Sequence, residues 1–160
     1  KCILHLHQIE ICNYYKYKMS QEKGYTRLVS HGIKPSLQRI AIMNYLIENS
    51  THPTVDMIFS DLYPDIPTLS RTTVYNTLKI LVEQGAVQML TIDDKNSRYD
   101  ADITPHAHFR CCKCGCIKDL PIKENIIFKE NSEKIKITEV QLYCKGYCAQ
   151  CLKNIETENT

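Results

Sequence analysis

The sequence predicts an α+β protein: an N-terminal winged helix-turn-helix domain, then a smaller α/β domain built around a four-cysteine zinc site. Three observations carry this. Short amphipathic helices over the first half end in a two-strand pattern; the composition turns to Cys, His and alternating apolar residues after Pro105; and seven of the nine cysteines fall between Cys111 and Cys151.

The helical pattern begins near Gln21, where Tyr25, Leu28 and Val29 recur at helical spacing and Gly32 supplies a stop. Ser36 is a good N-cap for a second helix with Ile40, Met43, Leu46 and Ile47 as its apolar stripe. Thr54 caps a short third helix with Val55, Ile58, Phe59 and Leu62 inward, ended by Pro64 and Pro67. Ser70 opens the fourth, which Gly85 closes. Val74, Leu78 and Leu81 share its apolar face, leaving Arg71, Thr72, Tyr75, Asn76 and Lys79 for solvent or a partner. Two strand-like runs follow, Ala86–Ile92 and Ser97–Asp100, joined by the turn-rich Asp93-Asp94-Lys95-Asn96.

Helices followed by a β-hairpin are the order of a winged helix, whose last helix enters the major groove of DNA. Hydroxyl, amide and guanidinium side chains in its first turns suit phosphate and base edges. A solvated helix face accounts for the same pattern equally well. Charge does not decide between them: the chain carries 20 Lys+Arg against 18 Asp+Glu, and residues 19–100 hold 8 against 9.

Beyond Pro105, Ile122, Ile126 and Ile127 suggest a helix between Pro121 and Ser132, and Ile135, Ile137, Val140, Leu142 and Tyr143 suggest one or two strands. Cys111-x-x-Cys114 and Cys148-x-x-Cys151 form two knuckles whose four thiolates complete a tetrahedron around Zn²⁺. Cys112, Cys116 and Cys144 leave other pairings open, such as Cys112-x₃-Cys116, but only Cys111/Cys114 repeats the x-x spacing of Cys148/Cys151. Clustered cysteines, odd in count and accompanied by His, argue for metal rather than a disulfide framework.

A second candidate set is more dispersed. His106 and His108 point to one side if they lie on a strand, with Asp100 and Asp119 nearby in sequence and His52 in the first domain. Nitrogen and carboxylate donors suit Fe²⁺, Mn²⁺ or Zn²⁺. A hydrogen-bonded His pair without a metal is about equally consistent with that spacing.

Residues 1–18 are expected to be an extension, disordered or non-native, since Met19-Ser20-Gln21-Glu22 looks a more natural start; Cys2, Cys12, His5 and His7 are read as part of a dispensable tail. No apolar run reaches the ~18 residues of a membrane helix. With no signal segment, the expected location is the cytoplasm. No Gly-rich phosphate loop, nucleophile motif or His-Glu-x-x-His helix marks an enzyme.

Taken in order, His52-Pro53-Thr54, Ser70-Arg71-Thr72-Thr73-Val74-Tyr75-Asn76-Thr77-Leu78, Arg98-Tyr99-Asp100, His106-Ala107-His108-Phe109-Arg110-Cys111, Cys114-Gly115 and Cys148-Ala149-Gln150-Cys151 resemble the ferric uptake regulator (Fur) family, from about Gly24 to Cys151. The resemblance implies a cytoplasmic homodimeric repressor that binds palindromic double-stranded DNA operators when metal is bound. Its domains would be a winged helix over 19–101, a hinge at 102–105 and a dimerisation and metal-binding domain over 106–160.

Among its subgroups the sequence is most similar to the peroxide-responsive repressors, whose regulatory Fe²⁺ or Mn²⁺ is held by three His and two Asp. These match His52, Asp100, His106, His108 and Asp119, whereas iron-sensing relatives usually place Glu at the two Asp positions. The subgroup implies that Fe²⁺ promotes oxidation of His52 or His106. An iron- or zinc-responsive repressor without peroxide sensing is the alternative. Residues 133–147 lack the His of a further regulatory site found in some relatives, and Lys34-Pro35-Ser36-Leu37-Gln38-Arg39 departs from the family's usual Thr-Pro-Gln-Arg.

Overall fold

A computed structural model describes residues 22–123 and 135–158. The expected tail over residues 1–18 lies outside them, as does most of the helix expected between Pro121 and Ser132. The described residues divide into two compact units, 22–89 with 97–103, and 90–96 with 104–123 and 135–158.

In the first unit, α1 (residues 22–30), α2 (Leu37–Glu48), α3 (Val55–Leu62) and α4 (Arg71–Glu83) precede a two-stranded ribbon of β1 (Gln88–Leu90) and β2 (Arg98–Asp100). Each of the three full helices starts on a hydroxyl cap. Ser36, Thr54 and Ser70 accept from the N–H of Arg39, Met57 and Thr73, satisfying donors that the first helical turn leaves open. The core gathers Leu28, Ile42, Met43, Leu46, Ile58, Val74, Leu78 and Leu81.

The face of α1 differs from the expected one. Leu28 is buried, but Tyr25 and Val29 are each 51% exposed. The buried row runs through Gly24 instead, because its N–H donates to the buried Asn44 Oδ1 at 2.8 Å. A Cβ at Gly24 would stand 2.3 Å from that oxygen, so only glycine allows this approach. On α2, Ile42 is buried although the expected stripe omitted it, while Ile40 and Ile47 are only partly buried. The strands are shorter than the apolar runs that announced them.

The second unit is a three-stranded sheet in the order β4-β3-β5, of β3 (Ala107–Cys111), β4 (Ile117–Leu120) and β5 (Leu142–Gly146), followed by α5 (Ala149–Glu158). Central β3 pairs antiparallel with β4, placing Asp119 opposite His108, and parallel with β5, placing Tyr143 opposite His108. Of the run expected to be strand, Leu142 and Tyr143 lie in β5. Residues 135–141 form no ladder among the described residues, and Ile135, Ile137 and Val140 stay exposed. Apolar alternation yields a strand only where a neighbour takes its N–H and C=O groups. Among the described residues no helix is long and apolar enough to cross a membrane.

Candidate metal centres and nucleic-acid interface

The first knuckle is the turn between β3 and β4. Cys111 ends β3, the Gly115 N–H donates to the Cys111 carbonyl, and Gly115 takes φ +73°, a left-handed backbone that a side chain would strain. The second knuckle opens α5, where the Leu152 N–H donates to the Cys148 carbonyl. The sulfurs of Cys111, Cys114, Cys148 and Cys151 lie within 4.8 Å of one another, with Cys114 and Cys148 at 3.8 Å. A tetrahedral Zn²⁺ with Zn–S of about 2.3 Å spaces its sulfurs by about 3.8 Å, so the cluster fits that ion and leaves no open position.

Backbone donors prepare two of these thiols. The Cys114 N–H, then the Cys148 N–H at 3.4 Å, hold Cys111 down to about 5, and the Cys151 N–H lowers Cys148. Burial first, and neighbouring sulfurs second, push Cys151 up to about 12. Without metal, then, Cys111 favours the thiolate and Cys151 the thiol, and binding Zn²⁺ expels the protons still held. Cys116 is likewise pushed up to about 12, chiefly by burial and then by the sulfurs of Cys114 and Cys148. Cys112 and Cys144 are exposed and stand outside the cluster.

The residues of the second set fall into two groups, one in each unit. In the first unit, His52 is 1% exposed and takes φ +52°, an unusual backbone for a residue with a side chain. β2 holds it there: Arg98 Nη1 donates to the His52 carbonyl, and the Tyr99 N–H donates to that of Pro53. The same strand places Asp100 Oδ2 3.5 Å from His52 Nε2. Asp100 is itself oriented by the Asp102 N–H on Oδ1 and Gln88 Nε2 on Oδ2.

In the second unit, His106 stands one residue before β3 and His108 lies within it, their Nε2 atoms 2.9 Å apart. Asp119 Oδ1 is 3.6 Å from His106 Nε2 and 3.7 Å from His108 Nε2. His106 Nδ1 is 2.7 Å from the Thr104 carbonyl, which can only accept, so Nδ1 carries hydrogen and the neutral ring presents a lone pair at Nε2. Nitrogens at about 2.1 Å from one ion and at right angles around it, as in six-coordination, stand about 3.0 Å apart, close to the observed spacing. The donors of this group therefore fit a divalent cation. Spacing had joined His106 to His108; the antiparallel register brings in Asp119. Thr104 and Gln88, which orient His106 and Asp100, had no signal in the sequence.

On α4, Arg71, Thr72, Tyr75, Asn76 and Lys79 are all exposed while Val74 and Leu78 are buried. Arg71 Nε donates to Asp56 Oδ1 at 2.7 Å and its guanidinium lies 4.4 Å from the Phe59 ring centre. This pair is open to water and therefore adds little stability, though it orients Arg71.

Comparison with known proteins follows the same lines. Residues 30–145 match the model of the Ferric uptake regulator family. The Peroxide-responsive repressor PerR of Staphylococcus aureus (strain Mu50) is 35% identical over 133 residues, covering 81% of this chain and 90% of that protein. The structure of the Helicobacter pylori ferric uptake regulator Fur superposes with a TM-score of 0.61 at 20% identity, covering 84% of this chain and 93% of that one. That of the Francisella tularensis regulator with iron gives 0.59 at 22% identity, covering 76% and 96%. These two share the fold. Proteins of this family are metal-responsive, DNA-binding transcriptional repressors, not enzymes. With the family model matched over residues 30–145 and a relative 35% identical over most of its length, this chain belongs to the ferric uptake regulator family.

Proposed function

We propose that this protein is a peroxide-sensing repressor in which one regulatory cation joins the two units. The observation that carries the reading is the convergence of His106, His108 and Asp119 on one point of the sheet. The similarity to a peroxide-responsive repressor supports it. His52 and Asp100 of the first unit complete the donor set of three His and two Asp. A closed arrangement that offers five donors binds the ion better than an open one offering three, so the ion shifts the population toward closure.

Closure in turn sets the separation of the α4 helices in a homodimer, whose palindromic half-sites lie about one helical turn or a multiple apart. The exposed Ile135, Ile137 and Val140 give a second copy an apolar row to cover. Arg71 and Lys79 anchor phosphates, and Thr72, Tyr75 and Asn76 face sugars and base edges. The Cys111, Cys114, Cys148 and Cys151 site stays closed and structural throughout.

Fe²⁺ bound at the regulatory site supplies one-electron reactivity toward hydrogen peroxide that Mn²⁺ lacks. His52 and His106 are the imidazoles that take up one oxygen atom from peroxide, the other leaving as water. An oxidised imidazole is a poorer donor, and the protein leaves DNA. The test uses a duplex selected from a random library by the Mn²⁺ form. After dilute peroxide the Fe²⁺ form should lose this duplex and gain one oxygen on the peptide containing His52 or His106, while the Mn²⁺ form keeps it. Equal survival of both forms would leave an iron- or zinc-responsive repressor without peroxide sensing.

A further inference from the structure

We propose that residues 90–96, the end of β1 and the loop that follows it, serve as a strut fastened to the metal-bearing sheet rather than as a wing that touches DNA, with Tyr143 as its positioning residue. The loop groups with the second unit, and three attachments hold it there. The Thr91 N–H donates to Tyr143 Oη at 2.9 Å. Asp93 Oδ1 lies 3.4 Å from Arg110 Nη2, with the Asp93 side chain only 7% exposed. Asp94 reaches Arg110 Nη1 and Lys145 Nζ, both at 3.7 Å. Leu90 and Ile92 are buried.

The receiving side chains share one face of the sheet. Arg110 follows His108 by two residues on β3, so both project the same way. Tyr143 stands opposite His108 and Lys145 opposite Arg110 in the β3–β5 register, and the Tyr143 and His108 rings are 6.2 Å apart. The face that offers His108 to a cation is thus the face that grips the loop. A loop with two carboxylates and one Lys is also ill suited to phosphates. Its charges are met by Arg110 and Lys145 instead. Through β1 and β2 the loop is continuous with the first unit, so the attachment gives the sheet a hold on the DNA-binding half at a second point besides the chain at 103–104. The regulatory consequence rests on the repressor reading; the attachment itself does not.

Hydrogen exchange in the metal-free protein tests the attachment. Amides of residues 90–96 should be protected in the wild type, and Tyr143→Phe, which removes only the hydroxyl, should speed their exchange by about fivefold, the worth of one hydrogen bond. Asp93→Asn should do likewise. Exchange at open-chain rates in the wild type, or unchanged in both variants, overturns the proposal. Binding of the Mn²⁺ form to the library-selected duplex tests the consequence. Tyr143→Phe should reduce the gain in affinity that Mn²⁺ confers, with the Mn²⁺ affinity of the DNA-free protein unchanged. Asp94→Lys should weaken binding, and Asp94→Lys with Lys145→Glu should recover it. A wing that touches phosphates gives the opposite: Asp94→Lys alone would tighten binding and steepen the salt dependence by about one counterion. Should the wild type show no metal-dependent gain at all, the repressor reading fails, while the exchange rates still decide the strut.

Discussion

Replacing Cys114 by Ser removes one zinc ligand at almost no cost in packing, because Cys114 is exposed. The consequence should nevertheless be large and confined to the second unit. All fourteen residues of the main core cluster belong to the first unit. In the second unit the buried apolar side chains among the described residues are Leu90, Ile92, Ala107, Cys111 and Cys151. Burial of Leu90 and Ile92 is worth about 3–6 kcal/mol together. A structural Zn²⁺ supplies about 10–16 kcal/mol of apparent folding energy in zinc-finger peptides. The ion therefore outweighs the apolar core of this unit by a factor of about two to five. Cys114→Ser should bind far less than one zinc per chain at that site and melt in two steps, the second unit first. The assay is calorimetry with metal analysis, alongside wild type treated with a strong chelator. A zinc-free variant whose second unit melts at the wild-type temperature would show that the ion does not hold this unit together.

Two further outcomes follow from the first unit. Burial, then the Asp61 carboxylate accepting at 2.6 Å, raises Tyr45 to about 12, so the folded state favours the protonated phenol. That contribution is intact below pH 10 and is lost as pH rises from about 10 to 12; Tyr45→Phe should lack this fall, as denaturant midpoints across that range will show. On α4, Arg71→Ala should weaken duplex binding and reduce its salt slope by about one counterion, while Asn76→Ala should change sequence preference at nearly constant slope; equal slopes for wild type and Arg71→Ala would remove Arg71 from the phosphate contacts.

What could be read in advance was local chemistry. Ser36, Thr54 and Ser70 announce helix starts because a cap acts within three residues. The cysteine pairs are legible for a similar reason: a knuckle closes over four residues, so its spacing is in the sequence. Facts of packing were not legible. Gly24 looks like a weak helix residue until Asn44 is seen against its backbone, and that contact turns α1 away from the Tyr25–Val29 face. The exposed positions of α4 could be read from the Val74–Leu78–Leu81 period, but the hold of Asp56 and Phe59 on Arg71 could not. Asp119 illustrates the boundary best. It is eleven residues from His108, and only the β3–β4 register sets them side by side. Tyr143 is thirty-five residues away and arrives through a parallel pairing that no short-range pattern encodes.

The proposed coupling requires one cation to draw donors from both units. The most direct measurement compares binding of the library-selected duplex with and without Mn²⁺, for the wild type and for His52→Ala, with zinc content measured in each. Mn²⁺ should tighten the wild type by about 5- to 150-fold, the usual range of coupling, and leave His52→Ala unmoved with its zinc intact. A His52→Ala protein that gains as much from Mn²⁺ as the wild type would contradict it.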